Sequence, residues 1–375
     1  MTELVDAQLY APFASSLTQT NGAGTFSFAR STTKSIFNSS GILESAAINA
    51  ASINNFGLHI DPESKTNNLL HCRDMRNSYF GGGWVQSGVV GPELVTNGNF
   101  DTDVTGWAAA YGTSSWVAGE LELSLVNPSL AYISQFITLT VGKTYVISCT
   151  YRLGGATGTT CILEVYTGTG TVRGVYNNTL VDTATTVQFT STTASVGIYI
   201  LLIGSTDSAK CYVDDISVKE AAVQVALTGT GIDGNANSCS LLTASAANAT
   251  ILQTITAAST PACSGFWVKR SVGTGSIFFT RNGGTDWLDI TSLINSSTFT
   301  CVKIENTSVT NPSVGFKIAT SGDAIIVDAG LNHAGTALTL PIFTTSAAVT
   351  RAADVLTYQT SSNFSDTAGD RKSVV

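Results

Sequence analysis

Charge and histidine are what this sequence has least of. Only 12% of its 375 residues are charged, and its three histidines, His59, His71 and His333, stand far apart. Histidine is the side chain most often used for proton transfer, yet no H-E-x-x-H, G-x-S-x-G or Cys–His pairing accompanies these three. They read as surface or loop histidines. Long apolar runs are missing too: residues 198–203 are among the longest, far short of the ~20 residues a membrane span requires, so no membrane insertion is expected. Residues 1–9 (MTELVDAQL) lack the basic start and continuous apolar stretch of a secretory signal. A net charge of -8 and a pI of about 4.8 argue against a phosphate-binding surface, so nucleic acid is not an expected partner. No C-x-x-C pair occurs, and seven cysteines is an odd number. Cys149, Cys161, Cys211 and Cys301 sit inside apolar strand patterns, where a thiol behaves as a small buried hydrophobe. Reduced thiols suit assembly in a cytosol.

What is abundant points to an all-β fold. The chain is 43% hydrophobic with 35 glycines, long enough for two or three domains and a sizeable core. Residues 131–139, 144–153, 161–166 and 196–203 alternate apolar and polar positions between Gly- and Thr-rich turns. A later region repeats that plan. CSGFWVKR (263–270) parallels residues 148–153, VGFKI (314–318) parallels VGIYI (196–200), and AIIVDAGL (324–331) parallels KCYVDDISV (210–218). The common order predicts two jelly-roll-like β-sandwiches of similar topology.

Nucleotide motifs fail on context. Residues 229–234 (GTGIDG) match a dinucleotide fingerprint, but the stretch after them is β-like, with no helix N-terminus for a pyrophosphate. Gly142-Lys143-Thr144 lacks the leading glycine of a phosphate loop, where Ile137 stands. Both read as turns between strands. A glycosidase would need two carboxylates about 5–10 Å apart across a cleft. Glu120, Glu122, Glu164, Asp214 and Asp215 are available, but sequence places no pair of them across a groove.

Residues 93–107 (ELVTNGNFDTDVTGW) and 211–220 (CYVDDISVKE) carry a resemblance. An N-G-x-F-[DE] opening, a Gly-Trp soon after and a closing Y-x-D-D strand are similar to the carbohydrate-binding modules of glycoside hydrolases and phage adhesion proteins. The resemblance covers about a third of the chain and implies binding without catalysis. It also implies a structural calcium held by Asp101 and Asp214, with Asp215 the alternative, completed by carbonyls near residues 97–100; end-of-strand carboxylates in solvent are the plain alternative, since calcium takes six to eight oxygens. It places Trp107 in the core. Flat rings stack on pyranose faces, so Tyr111, Trp116, Tyr166 and Tyr176, all in turn-rich stretches, are candidate sugar contacts; for Trp116 core burial is the favoured reading, since Trp is highly buried on average. Trp267 and Trp287 read as core or inter-sheet residues.

A second resemblance lies outside that module. TFSFARSTTKSIFNSSGI (25–42), GLHIDPESKTNNLL (57–70), Gly83-Trp84 and the closing AVTRAADVLTY (348–358) are similar to segments recurrent in tailed-phage structural proteins. In that pattern the Trp strand runs straight into a jelly roll with a G-x-D-G turn, which here appears only at residues 223–243. The reading is an N-terminal β-rich virion-attachment segment (1–54), a sandwich from 55–90 with 221–360, a carbohydrate-binding-module-like sandwich (91–220) inserted into it, and a tail (361–375); beads on a string is the alternative. Together these imply a non-enzymatic virion component, a head decoration, head fibre or tail fibre. Its partners would be other virion proteins and host-surface glycans, its state a homotrimer, its location the virion assembled in host cytoplasm. The alternative is a polysaccharide-degrading tailspike or an accessory module of a glycoside hydrolase.

Overall fold

The computed structural model describes residues 26–358 apart from 39, 55–56, 77–82, 127–128, 156–158, 167–170, 178–179 and 205–208. Every regular element among the described residues is a β-strand. Eight short strands come first: β1 (Phe26–Ala29), β2 (Lys34–Phe37), β3 (Leu43–Ala46), β4 (Ser52–Asn54), β5 (Gly57–His59), β6 (Lys65–Asn67), β7 (Val85–Ser87) and β8 (Val89–Val90).

Ten strands then build the first sandwich: β9 (Ala108–Ala110), β10 (Gly112–Val117), β11 (Glu120–Leu125), β12 (Ser129–Thr138), β13 (Thr144–Leu153), β14 (Thr160–Tyr166), β15 (Thr171–Asn177), β16 (Thr183–Thr190), β17 (Ser195–Gly204) and β18 (Lys210–Ala221). One sheet runs β10-β11-β18-β13-β16, with β8 on β18; the facing sheet runs β15-β14-β17-β12-β9. Alternate residues fill the space between them, among them Leu121, Leu123, Ile133, Ile147, Tyr151, Ile198 and Val213. Gly142-Lys143-Thr144 turns β12 into β13, with Gly142 at φ 83°, as a hairpin turn demands.

The second sandwich uses β19 (Val223–Gly229), β20 (Cys239–Ala244), β21 (Ala249–Thr254), β22 (Pro261–Val272), β23 (Ile277–Thr280), β24 (Leu288–Asp289), β25 (Thr300–Ser308), β26 (Ser313–Ile318) and β27 (Ala324–Ala334). Its sheets run β19-β20-β27-β22-β25 and β24-β23-β26-β21-β7. Position by position this is the order of the first sandwich, with β7 standing where β9 stands. The three paralleled sequences fall on equivalent strands, β13 with β22, β17 with β26 and β18 with β27. Since β7 precedes and β19 follows the first sandwich, the second core combines Trp84, Leu69 and Met75 with Phe266, Phe279 and Phe316. The Trp84 and Phe266 rings meet edge-on at 5.9 Å.

Two strands close the chain, β28 (Val349–Arg351) on β6 and β29 (Val355–Tyr358) on β1. The first and last described strands are thus partners. Beneath them Arg30 and Lys34 both reach Asp354, at 3.0 and 2.7 Å, while Lys34 and Arg351 share Asp61. Residues from 25–42, 57–70 and 348–358, three of the four segments of the second resemblance, therefore meet in one ion cluster. Residues 1–25 and the 361–375 tail lie outside the described residues.

Several expectations change. His333 is no loop residue: it lies fully buried within β27, its Nε2 accepting from the Thr339 amide at 3.2 Å, and burial lowers its pKa. Cys263 of β22 pairs with it on one side, and the segment after β6 bonds the neighbouring Asn332 carbonyl through Asn68 N. Trp267 and Trp287 are half-buried outside the second sandwich's core: alternation on β22 turns Phe266 and Val268 inward and Trp267 outward against a small cluster of Leu43, Ile232 and Ala329, while Trp287 lies just before β24. Trp267 also packs on Phe37 at 5.9 Å, and Trp287 carries the Lys317 ammonium 4.7 Å from its ring centroid. Cys149, Cys161 and Cys211 are buried free thiols, whereas Cys301 is half-buried. The glycine turn at residues 229–234 houses Arg73: a Cβ on Gly231 would stand 2.4 Å from Arg73 Nη2.

Candidate functional site

The outer face of the β15-β14-β17-β12-β9 sheet is aromatic where a solvent-facing surface is ordinarily polar. On β12 the residues turned away from the core are Tyr132, Ser134 and Phe136; on β17 they are Gly197, Tyr199 and Leu201; on β14, Glu164 and Tyr166. Register aligns them across the sheet. Ser134 and Glu164 flank Tyr199, while Phe136 and Tyr166 flank Gly197. Tyr199 is the hub, with centroids 5.4 Å from Tyr132, 6.1 Å from Phe136 and 6.4 Å from Tyr166, all edge-to-face. Tyr111 extends the row, 5.8 Å from Tyr132.

Two backbone features make this packing possible. A Cβ on Gly197 would lie 2.5 Å from the Tyr199 ring and 3.2 Å from that of Phe136, so the glycine is what lets both rings lie over the strand. Tyr111 has φ 59° at the turn from β9 to β10, a left-handed conformation costing about 1–2 kcal/mol for a non-glycine residue. It leaves the ring 71% exposed. Phe136 is 62% exposed, and Tyr166 is exposed as well. The Tyr199 phenol titrates above its ordinary value because of burial first and then the neighbouring Tyr132, Tyr166 and Glu164. It therefore stays a neutral donor at physiological pH.

Of the four candidate sugar contacts, Tyr111 and Tyr166 belong to this face. Trp116 does not: it lies on β10 in the opposite sheet, 44% exposed, its Nε1 donating to the Phe100 carbonyl at 2.6 Å. Tyr176 is in register with Ile162 on β15, but its side chain lies outside the described residues. Tyr132, Phe136 and Tyr199 escape a search for aromatics in turns, because they lie within strands. The signal that points to them is period two: Tyr132 and Phe136 are four apart within one alternating strand.

The expected calcium pair sits at the bottom of the 97–100 turn. Asp214 precedes a bulge in β18, where Asp215 has φ 51°, and its pKa is raised by burial and then by the charges of Asp215, Glu120 and Asp101. The carbonyls of Asn97, Gly98 and Phe100 already accept from Trp107 Nε1, Ile216 N and Trp116 Nε1, at 3.1, 2.8 and 2.6 Å. Among the described residues no three acidic, His or Cys groups gather to hold a metal. Each of these carbonyl oxygens keeps a second lone pair, while a calcium ion takes six to eight oxygens. The core position of Trp107 holds, with its ring 5.8 Å from Phe100.

Two of the five carboxylates weighed for hydrolysis, Glu120 and Glu122, are engaged in ion pairs. Glu120 grips Arg152, with Oε2 2.6 Å from Nη2. Glu122 accepts from Lys210 Nζ at 2.8 Å and the Tyr212 hydroxyl at 2.9 Å, contacts that hold it below its ordinary pKa against the opposing effect of burial. Glu122 is thereby kept ionised, and both carboxylates act as struts between strands.

No protein-family model matches the chain, and no curated protein matches it. Among solved structures it is similar to the N-terminal cellulose-binding domain of β-1,4-glucanase C from Cellulomonas fimi, at 18% identity over 34% of this chain and 96% of that one, TM-score 0.27. It is also similar to the tandem CBM22-1–CBM22-2 domains of Paenibacillus barcinonensis Xyn10C, at 13% identity over 67% of this chain and 99% of that one, TM-score 0.28. An arabinose-bound GH51 α-L-arabinofuranosidase matches at 13% identity over 43% of this chain and 31% of that one, TM-score 0.29. Similarity at that level assigns no function, which must come from the site.

Proposed function

We propose that this protein binds glycans without cleaving them, through the aromatic face of its first sandwich. The carrying observation is the connected cluster of Tyr111, Tyr132, Phe136, Tyr166 and Tyr199 on an outer sheet surface, its centroids 5.4 to 6.4 Å apart. Rings held in this way present apolar area to pyranose faces at little entropic cost, while Ser134, Glu164 and the phenols supply hydrogen bonds to hydroxyls. Ion pairing of Glu120 and Glu122 favours binding over hydrolysis. Full-length protein should be retained on a glycan array and release no reducing sugar from the glycans it binds.

The finer part of the proposal is a homotrimeric structural protein of a tailed-phage virion, assembled in host cytoplasm and touching other virion proteins. It rests on the motif resemblance and on the meeting of Arg30, Asp61, Arg351 and Asp354 from three separate motif segments. Antibody labelling of intact particles tests it; an unlabelled capsid and tail would overturn it. A structural calcium ion held by Asp101 and Asp214, with Asp215 the alternative, is a separate proposal; it rests on the motif resemblance and on the mutual repulsion of Asp214, Asp215, Glu120 and Asp101, which a cation would relieve.

A further inference from the structure

The ion cluster under the terminal strands opens onto a cavity that the glycan reading does not use. Arg30, Lys34 and Arg351 are each 2% exposed, and the carboxylates they share are Asp61 and Asp354. Arg351 bonds Asp61 through Nη1 alone, and its buried Nε and Nη2 have no hydrogen-bond partner among the described residues. A buried guanidinium with two idle donors is costly unless something compensates its charge.

The cavity beside it measures about 720 Å³. Arg351, Asp61, Glu63, Lys65, Lys303 and Trp267 line it, with the 335–340 loop across one side. Both lysines are already balanced locally, Lys65 by Glu63 and Lys303 by Glu305, so the cation with donors left over is Arg351. Trp267 supplies the apolar wall: alternation turns it out of the sandwich, and Phe37 packs against it, leaving it half-buried. A cationic wall next to an indole suits one chemistry, an oxyanion carried on a small ring.

We propose that this cavity binds a small oxyanionic ligand, its carboxylate or phosphate compensating Arg351 beside the wall that Lys65 and Glu63 line and its ring lying against Trp267, the class to which acidic monosaccharides belong. The site lies on the second sandwich and stands whether or not the aromatic face of the first binds sugar. Glucuronate, inorganic phosphate and glucose are the probes, titrated into full-length Tyr199→Ala protein at fixed ionic strength so that the aromatic face contributes nothing. Glucuronate should bind and raise the melting temperature while neutral glucose does neither. Lys65→Met, at the cavity wall, should weaken glucuronate by about tenfold, or ~1.4 kcal/mol, without lowering the melting temperature of the free protein. Trp267→Ala should weaken glucuronate and spare phosphate if the source is an acidic sugar; if it spares both and phosphate is the tighter ligand, the source is the free anion. Equal response to glucose and glucuronate, no response to either anion, or unchanged binding in Lys65→Met would overturn the proposal.

Discussion

Val90 and Glu220 are antiparallel partners, so the chain enters and leaves the first sandwich side by side. Around this neck the Ala222 amide donates to Gly88 O at 3.1 Å and the Val223 amide to Gln86 Oε1 at 2.7 Å. A domain joined through adjacent ends can be removed without stretching its host. Deleting residues 91–221 should leave a remainder that melts cooperatively. Deleting residues 1–90 should instead unfold the second sandwich, because β7, Trp84 and Leu69 go with them. Circular dichroism melts of both truncations decide it; a second sandwich that survives loss of residues 1–90 would favour independent beads.

Trp84→Ala tests the same dependence with one side chain. Trp84 is fully buried against Phe266, and such truncations cost about 3–5 kcal/mol through lost burial and the cavity left behind. Denaturant unfolding should show that loss in the second sandwich.

The ion cluster gives a pH dependence. Burial alone would raise the Asp354 pKa, but hydrogen bonds from Lys34, the Asp61 amide and Arg30 outweigh it and hold the carboxyl below its ordinary value. A carboxylate depressed on folding stabilises the native state above its unfolded pKa, near 3.9. That contribution disappears as pH falls through the still lower folded value. Stability measured from pH 6 downward should decline more steeply in the native protein than in Asp354→Asn, which is less stable at neutral pH; parallel curves would contradict the assignment.

Calcium is tested by melting alone. If Asp101 and Asp214 hold the ion, the melting temperature should be higher in calcium than in chelator, and Asp101→Ala should remove that difference. Equal melting in saturating calcium and in chelator would dispose of the site.

Legibility in the sequence follows the range of the interaction. Alternation in residues 144–153 and 196–203 predicts strands because period two is local, and parallels such as VGIYI with VGFKI reveal a repeated sandwich before any pairing is known. Long-range geometry is not legible. That Arg30 meets Asp354, or that Trp267 faces outward onto Phe37, depends on contacts between segments at opposite ends of the chain. Trp116 reads as core before sugar contact because residue type does not say which sheet a strand joins. Tyr199 is legible only as one member of an alternating strand; its role as hub comes from register with Ser134, Glu164 and Gly197.

Gly197 offers a subtler test of the aromatic face. Gly197→Val would place atoms where the Tyr199 and Phe136 rings now lie, displacing both rings while the core beneath, built from Val196 and Ile198, is untouched. Glycan retention should fall with little change in melting temperature.

The most direct measurement is glycan and bacterial-cell binding by full-length protein and Tyr199→Ala, with reducing-sugar release monitored in parallel. Tyr199 is the centre of the cluster and lies outside the core, so its loss should weaken binding by at least about tenfold, ~1.4 kcal/mol, in a protein that melts normally and liberates no sugar. Undiminished binding in Tyr199→Ala, or polysaccharide turnover that a single carboxylate substitution abolishes, would contradict the account.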